Sequence, residues 1–174
     1  MLPKHMFGFK MERNFATDLR YGKKFENIVF DKLRSVGLQV IDTSKNKEYQ
    51  KYDIDAEIII NNKKYFMEIK ADKRINSTKN IFVEDMMERQ EGNKKGWLHY
   101  CKSDLLCYVD DINRIAYIVN WPRLKKFCTE QGVESKYYRR FWNKTDNCYG
   151  AGYLIPLEFL RENNYIFKCL ILEE

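Results

Sequence analysis

Beyond Thr17, apolar residues recur at helical spacing. Phe25, Ile28, Val29, Leu33 and Val36 fall on one stripe, and Gly37 supplies a stop. The period then changes. Residues 38–43 read as a strand, 44–51 as a polar loop, and 52–72 alternate on either side of Asn61-Asn62. Asparagine tolerates positive φ, so a two-residue turn at that pair predicts a hairpin. Residues 80–84 suggest another strand, and 105–109 with 115–119 a second hairpin. Trp121-Pro122 opens a helix to about residue 131, with proline at the first turn. Strands at 153–155 and 165–172 bracket a helical turn over 157–162. A helix followed by three strands and then mixed elements predicts an α/β (α+β) protein, a mixed β-sheet flanked by helices. No repeat and no Pro/Gly/Ser-rich linker divides the chain, so we expect an N-terminal arm over residues 1–16 and a single domain over 17–174.

The Asn-Asn turn fixes a register. Ile60 faces Lys63, Ile58 faces Tyr65, Asp55 faces Glu68 and Asp53 faces Lys70, and opposed residues share a face of the pair. Ile54, Ala56, Ile58, Ile60, Tyr65, Met67 and Ile69 make an apolar face that needs no function. The other face carries Asp53, Asp55, Glu57, Phe66, Glu68 and Lys70. Two carboxylates placed opposite one another repel. A divalent cation between them removes that penalty, and Mg²⁺ binds through one or two carboxylates plus water and phosphate. Lys70, two residues beyond Glu68, reaches the same space, which is the equipment of metal-assisted phosphodiester hydrolysis. The competing reading is an ordinary salted strand face. Glu26 lies about 60° from Val29 on a helical wheel, at the edge of the apolar stripe. There it either leans toward the hairpin or pairs with Lys23 on the helix surface.

Composition narrows the chemistry further. The 174 residues include 44% hydrophobic and 32% charged positions, the balance of a globular protein. No apolar run approaches the roughly 20 residues of a membrane span and the first residues do not read as a signal peptide, so a cytoplasmic protein is the expectation. Five scattered cysteines without a C-x-x-C, and only His5 and His99, disfavour disulfide frameworks, zinc sites and histidine triads. A net charge of +6, with 12 Tyr and 11 Phe, suits an anionic polymer. Lys73, Arg74, Lys94 and Lys95 flank the acidic hairpin as phosphate contacts. Residues 136–144, KYYRRFWNK, interleave basic residues and rings that could grip phosphates and stack on bases; the competing reading, an amphipathic helix packing its rings inward, suits the rings better than Arg139 and Arg140.

Helix with Glu26, strand, then Asp55 and, after twelve residues, Glu68-Ile69-Lys70 resembles the PD-(D/E)xK nuclease superfamily, whose restriction-endonuclease-like fold includes Holliday-junction resolvases, restriction enzymes and some viral RNA endonucleases. The resemblance covers residues 17–72. It implies a metal-dependent nuclease using Mg²⁺ or Mn²⁺, with Asp55, Glu68 and the backbone carbonyl of Ile69 as ligands. Lys70 would be the catalytic lysine and Glu26 the acid of the first helix. It also implies a nucleic-acid substrate, DNA ahead of RNA, in recombination, repair or mobile-element processing, and a homodimer if the substrate is a junction. An RNA endonuclease on the same scaffold and a noncatalytic nucleic-acid-binding protein are the alternatives. The sequence departs from the family pattern where Ile54 replaces the proline before Asp55. Asp53 is a rival for the motif aspartate, because a bulge would exchange the two. Glu84 and Gln90 could line the cleft, although Glu84 also reads as an edge-strand charge.

Overall fold

The computed structural model describes residues 15–89, 91–143 and 148–172. Helix α1 spans Phe15–Ser35, so residues 15 and 16 are helical and the rest of the expected arm, like Gln90 and Lys144, lies outside the described residues. Phe25, Val29, Phe30 and Leu33 are buried, whereas Val36, at the end of the predicted stripe, is exposed. Strand β1 (Gln39–Asp42) follows, then the one-turn helix α2 (Lys47–Gln50) inside the segment expected to be a loop. The hairpin is β2 (Ala56–Ile60) and β3 (Lys63–Ala71). Asn61 and Asn62 both have positive φ, at 51° and 60°, as the turn requires.

After the one-turn α3 (Ile75–Thr78), β4 runs over Asn80–Arg89 and turns back as β5 (Gly92–Lys95). Next come α4 (Trp97–Tyr100), β6 (Leu105–Asp110), β7 (Ile115–Asn120) and α5 (Trp121–Gln131). Then β8 (Tyr138–Asn143), β9 (Cys148–Pro156), α6 (Leu157–Glu162) and β10 (Ile166–Ile171) complete the described chain. The segment read as an amphipathic helix is therefore strand β8. Its side chains alternate, with Tyr138, Arg140 and Trp142 facing Tyr153, Ala151 and Tyr149 across the ladder, and this pairing with β9 decides for a strand although the ring spacing also suits a helix.

Among the described residues the strands form two sheets. One has the order β1-β2-β3-β6-β7-β10, and the other β5-β4-β9-β8. In the first, β3 and β6 are parallel and the other pairs antiparallel. Parallel neighbours need a long crossover, and residues 72–104 supply it while also contributing half of the second sheet. Helix α1 covers one face of the first sheet, packing Phe25, Val29 and Leu33 on Ala56, Ile58, Met67 and Ile69. The other face, with Leu106, Tyr108, Tyr117 and Val119, packs against Trp97, Trp121 and Leu124 and against Ile81, Val83, Tyr153 and Ile155 of the second sheet. Tyr108 ties the sheets together. Its hydroxyl donates to the Phe82 carbonyl at 2.6 Å and accepts from the Phe82 N–H at 3.2 Å. No helix among the described residues is long and apolar enough to cross a membrane.

Candidate active site at the open end of the hairpin

The β2–β3 ladder keeps the register that the turn sets, with Ala56 opposite Met67 as its last pair. One further bond follows, from the Asp55 N–H to the Met67 carbonyl at 2.9 Å. Beyond it the backbone of β2 departs. Asp53 adopts φ 48°, and its carbonyl accepts from the Ser103 hydroxyl at 2.8 Å, which holds the turned chain. The Ile69 N–H, which would have met the next β2 carbonyl, instead donates to Asp55 Oδ2 at 2.8 Å. In a strand a residue's N–H and C=O point to the same edge, so the Ile69 carbonyl is directed into the gap that β2 has vacated.

Four acids gather at this gap. Asp53, Asp55 and Glu68 line a cleft of about 550 Å³, and Glu26 of α1 stands in the same lining. Glu26 also receives a hydrogen bond from Lys23 at 2.8 Å, so it borders the cleft and pairs with Lys23 at once. Lys23 further donates to Ser44 Oγ at 2.6 Å and lies 3.4 Å from Asp42, placing a cation at the cleft wall. Lys70 Nζ is 2.5 Å from Glu68 Oε1 and 3.3 Å from Asp53 Oδ2, beneath the acids and 5.0 Å from the Trp97 ring centroid. Both aspartates thus reach the site. Asp55 does so from the sheet position opposite Glu68, and Asp53 from the turn.

Burial makes this assembly electrostatically unusual. Glu68 is only 5% exposed because Trp97 and the second sheet cover the face on which it stands. Burial pushes its carboxyl well above the ordinary range; Lys70 opposes the rise, and Asp55 and Asp53 add to it. Burial also raises Asp55, against the pull of the Ile69 N–H and with the help of the Glu26 charge. For Lys70, burial disfavours the ammonium, but Glu68 and Asp53 outweigh it and the amine titrates above the usual lysine value. Lys70 thus serves two carboxylates at once, and the buried acids Asp55 and Glu68 are relieved by a proton or a cation, while Arg20, Lys23 and Lys45 stand in the outer lining of the cleft. Glu57, on the same face, is a contrast: it is satisfied by the Tyr49 hydroxyl and by Lys64 at 2.7 Å, away from the cleft.

The basic residues divide. Lys73 and Arg74 line a neighbouring cavity of about 300 Å³ that contains Lys70, Glu84, Trp97 and Tyr108. Arg74, Arg139 and Arg140 border a third, of about 320 Å³, with Phe82, Phe141 and Leu154. Arg140 is engaged by the Glu88 carboxylate and lies over the Tyr149 ring. Lys94 and Lys95 stand on β5 at the rim of the second sheet, outside the linings of these clefts. Glu84 is not an edge charge: β4 lies between β5 and β9, and Glu84 lines the cavity of Lys70. Sequence reasoning missed Tyr100, whose hydroxyl is raised by burial and by the nearby Asp53 charge. Trp97, a core residue, also contributes, because its ring underlies Lys70. Neither carries a local sequence signal, since both arrive with the crossover.

No protein-family model matches the chain, and no curated protein does. Among solved structures it is similar to a bacterial homing endonuclease, with a TM-score of 0.48, 10% sequence identity, and coverage of 64% of this chain and 73% of that one. That likeness is distant, and it is the geometry of the acids and Lys70 that bears on function.

Proposed function

We propose that the protein is a metal-dependent nuclease that hydrolyses phosphodiester bonds, with DNA as its first candidate substrate and RNA second. The observation that carries this reading is the convergence of Asp53, Asp55 and Glu68 on Lys70 where β2 leaves the sheet, with Glu26 across the cleft. The donor set is made of hard oxygens, which suits Mg²⁺ or Mn²⁺. Among the described residues, no three acidic, histidine or cysteine side chains form a finished metal cage. Two carboxylates supplemented by water and substrate phosphate are the arrangement Mg²⁺ commonly uses. Asp55 and Glu68 would hold the ion together with the Ile69 carbonyl, and Glu26 would orient water on the opposite wall. A bound divalent cation supplies acidified water and charge neutralisation at the scissile phosphate.

The chain's own groups do the remaining work. The Ile69 N–H fixes one oxygen of Asp55 at 2.8 Å, and the Asp55 carboxyl also shares a hydrogen bond with Glu68. Lys70, held over Trp97, presents an ammonium beside the acids, where it orients an attacking water and faces phosphate charge. Lys73 and Arg74 lie along the adjoining cavity on the path of a phosphate backbone. The test is cleavage of single-stranded, duplex and branched DNA and of RNA with Mg²⁺ or Mn²⁺. We expect metal-dependent scission that falls at least about 100-fold in Asp55→Ala, Glu68→Ala and Lys70→Ala, the scale of a lost acid–base or electrostatic group. Unchanged cleavage in these variants, or none in the unmodified protein, overturns the assignment.

A further inference from the structure

The second sheet has a face that neither apolar core uses. Phe82 on β4 and Phe141 on β8 belong to neither cluster, yet their ring centroids are 5.2 Å apart with planes at 74°. Strand β9 runs between these two strands. Strands two places apart are separated by roughly 9.5 Å, so the rings must lean toward each other over β9. They can do so because β9 presents Gly150 and Gly152 there. A Cβ on Gly150 would lie 2.7 Å from the Phe141 ring, and one on Gly152 would lie 2.9 Å from the Phe82 ring. The rings lie over the glycines as an edge-to-face corner, and with Leu154 they border a cavity beside it.

Charge surrounds that corner. Arg74 and Arg139 border its cavity of about 320 Å³, and both are exposed. Asp72, Arg74 and Phe82 are shared with the cavity that holds Lys70, so the two adjoin and lead from Lys70 to the rings. A paired duplex keeps its base faces stacked inside the helix and offers this corner only backbone. A base that is unpaired, frayed or flipped offers a π-face.

We propose that Phe82 and Phe141 form a stacking subsite for an unpaired base of the bound nucleic acid, with Arg74 and Arg139 on the flanking phosphates. The ligand's identity rests on the nuclease reading. The protein would thereby prefer strands with unpaired bases, including single strands, gaps and branch points, to continuous duplex.

Fluorescence anisotropy with labelled single-stranded, gapped and fully paired oligonucleotides, in buffer with EDTA so that nothing is cut, tests this directly. Phe82→Leu/Phe141→Leu keeps apolar bulk but removes the rings. It should weaken single-strand and gapped binding roughly 5- to 150-fold, the range for one lost stacking contact, and leave duplex binding within about twofold. Phe141→Tyr, which keeps a ring, should retain the single-strand affinity that Phe141→Leu loses, which separates stacking from a loss of fold. Arg139→Ala should weaken every nucleic acid and reduce the salt slope by about one. Undiminished single-strand binding in the double variant, or equal losses on duplex and single strand, overturns the subsite and makes the rings a cover for the glycine strand. If the unmodified protein cleaves while the rings prove irrelevant, the subsite falls and the nuclease reading stands. If strands bind through the rings but no substrate is cut, the reverse holds.

Discussion

Replacing Lys70 by methionine is the sharpest perturbation of the site, because it removes charge while keeping length and apolar bulk. Lys70 is 2.5 Å from Glu68, whose side chain is 7% exposed, and 3.3 Å from Asp53. Removing one partner of a buried pair typically costs about 3–5 kcal/mol, because the remaining charge is stranded. Lys70 itself keeps 26% side-chain exposure. Water therefore reaches the pair, and we expect the low end or below, about 2–3 kcal/mol. In a chain of this length each kcal/mol moves the midpoint by about 2–4 °C, so Lys70→Met should melt roughly 4–12 °C lower. Glu68→Gln removes the stranded charge. The Lys70→Met/Glu68→Gln double variant should then recover most of the loss, giving a coupling of about 2 kcal/mol in a double-mutant cycle. Urea or thermal unfolding of the four proteins without divalent ions measures it. Coupling below about 0.5 kcal/mol, the level at which distant sites add, would refute the buried pair.

Gly152→Ala places a Cβ 2.2 Å from the Val83 carbonyl oxygen, a backbone atom inside the sheet. Overpacking of this kind costs about 1–3 kcal/mol or more. Gly150→Ala meets only the far end of the Phe141 ring and should be milder, and melting curves of equal midpoint would contradict the close approach. Asn62→Gly keeps positive φ available in the hairpin turn and should hold or raise the melting midpoint. Asn62→Val should lower it, by about 1–2 kcal/mol for a β-branched residue in the left-handed region; equal midpoints would count against the turn. Native-state alkylation at neutral pH should modify Cys169, which is exposed, well before the four buried cysteines. Burial pushes Cys101 up to about 11 and Cys128 up to about 12, leaving few thiolates to react. Mass spectrometry showing early labelling of Cys101 would mean that the site region opens.

The hairpin was legible because its instructions are local. Asn61-Asn62 sets the turn, and alternation then puts Ala56, Ile58 and Met67 on one face and Asp55 and Glu68 on the other. The second sheet was not. Gly150 and Gly152 lie inside β9, ahead of the strand expected over 153–155, and the edge strand carrying Arg139 and Arg140 has aromatic spacing that also suits a helix. Strand β4 extends to Arg89, past the five residues its composition suggests, because β9 pairs with it over most of its length. These are non-local facts. The same holds for the burial of Glu68, since its cover comes from Trp97 and from strands later in the chain.

That non-local burial explains how the acids can be tolerated. A carboxylate pair facing water on an isolated hairpin would cost little and hold a cation weakly, because bulk water screens both effects. With Glu68 buried to 5% exposure the same pair is expensive, and a divalent ion is correspondingly well rewarded. The fold can bear the cost because the acids interrupt neither apolar core: Met67 and Ile69 stay beneath α1 while Glu68 and Lys70 occupy the opposite face of the same strand. Each fully buried Leu, Ile or Met contributes roughly 1.5–3 kcal/mol. Ile58, Met67 and Leu106, the buried neighbours of the site on β2, β3 and β6, therefore match the penalty of one stranded charge before any ion is bound. Strand alternation thus lets β3 anchor the sheet with its odd residues and concentrate charge with its even ones. The departure of β2 at Asp53 then opens that charge to the cleft.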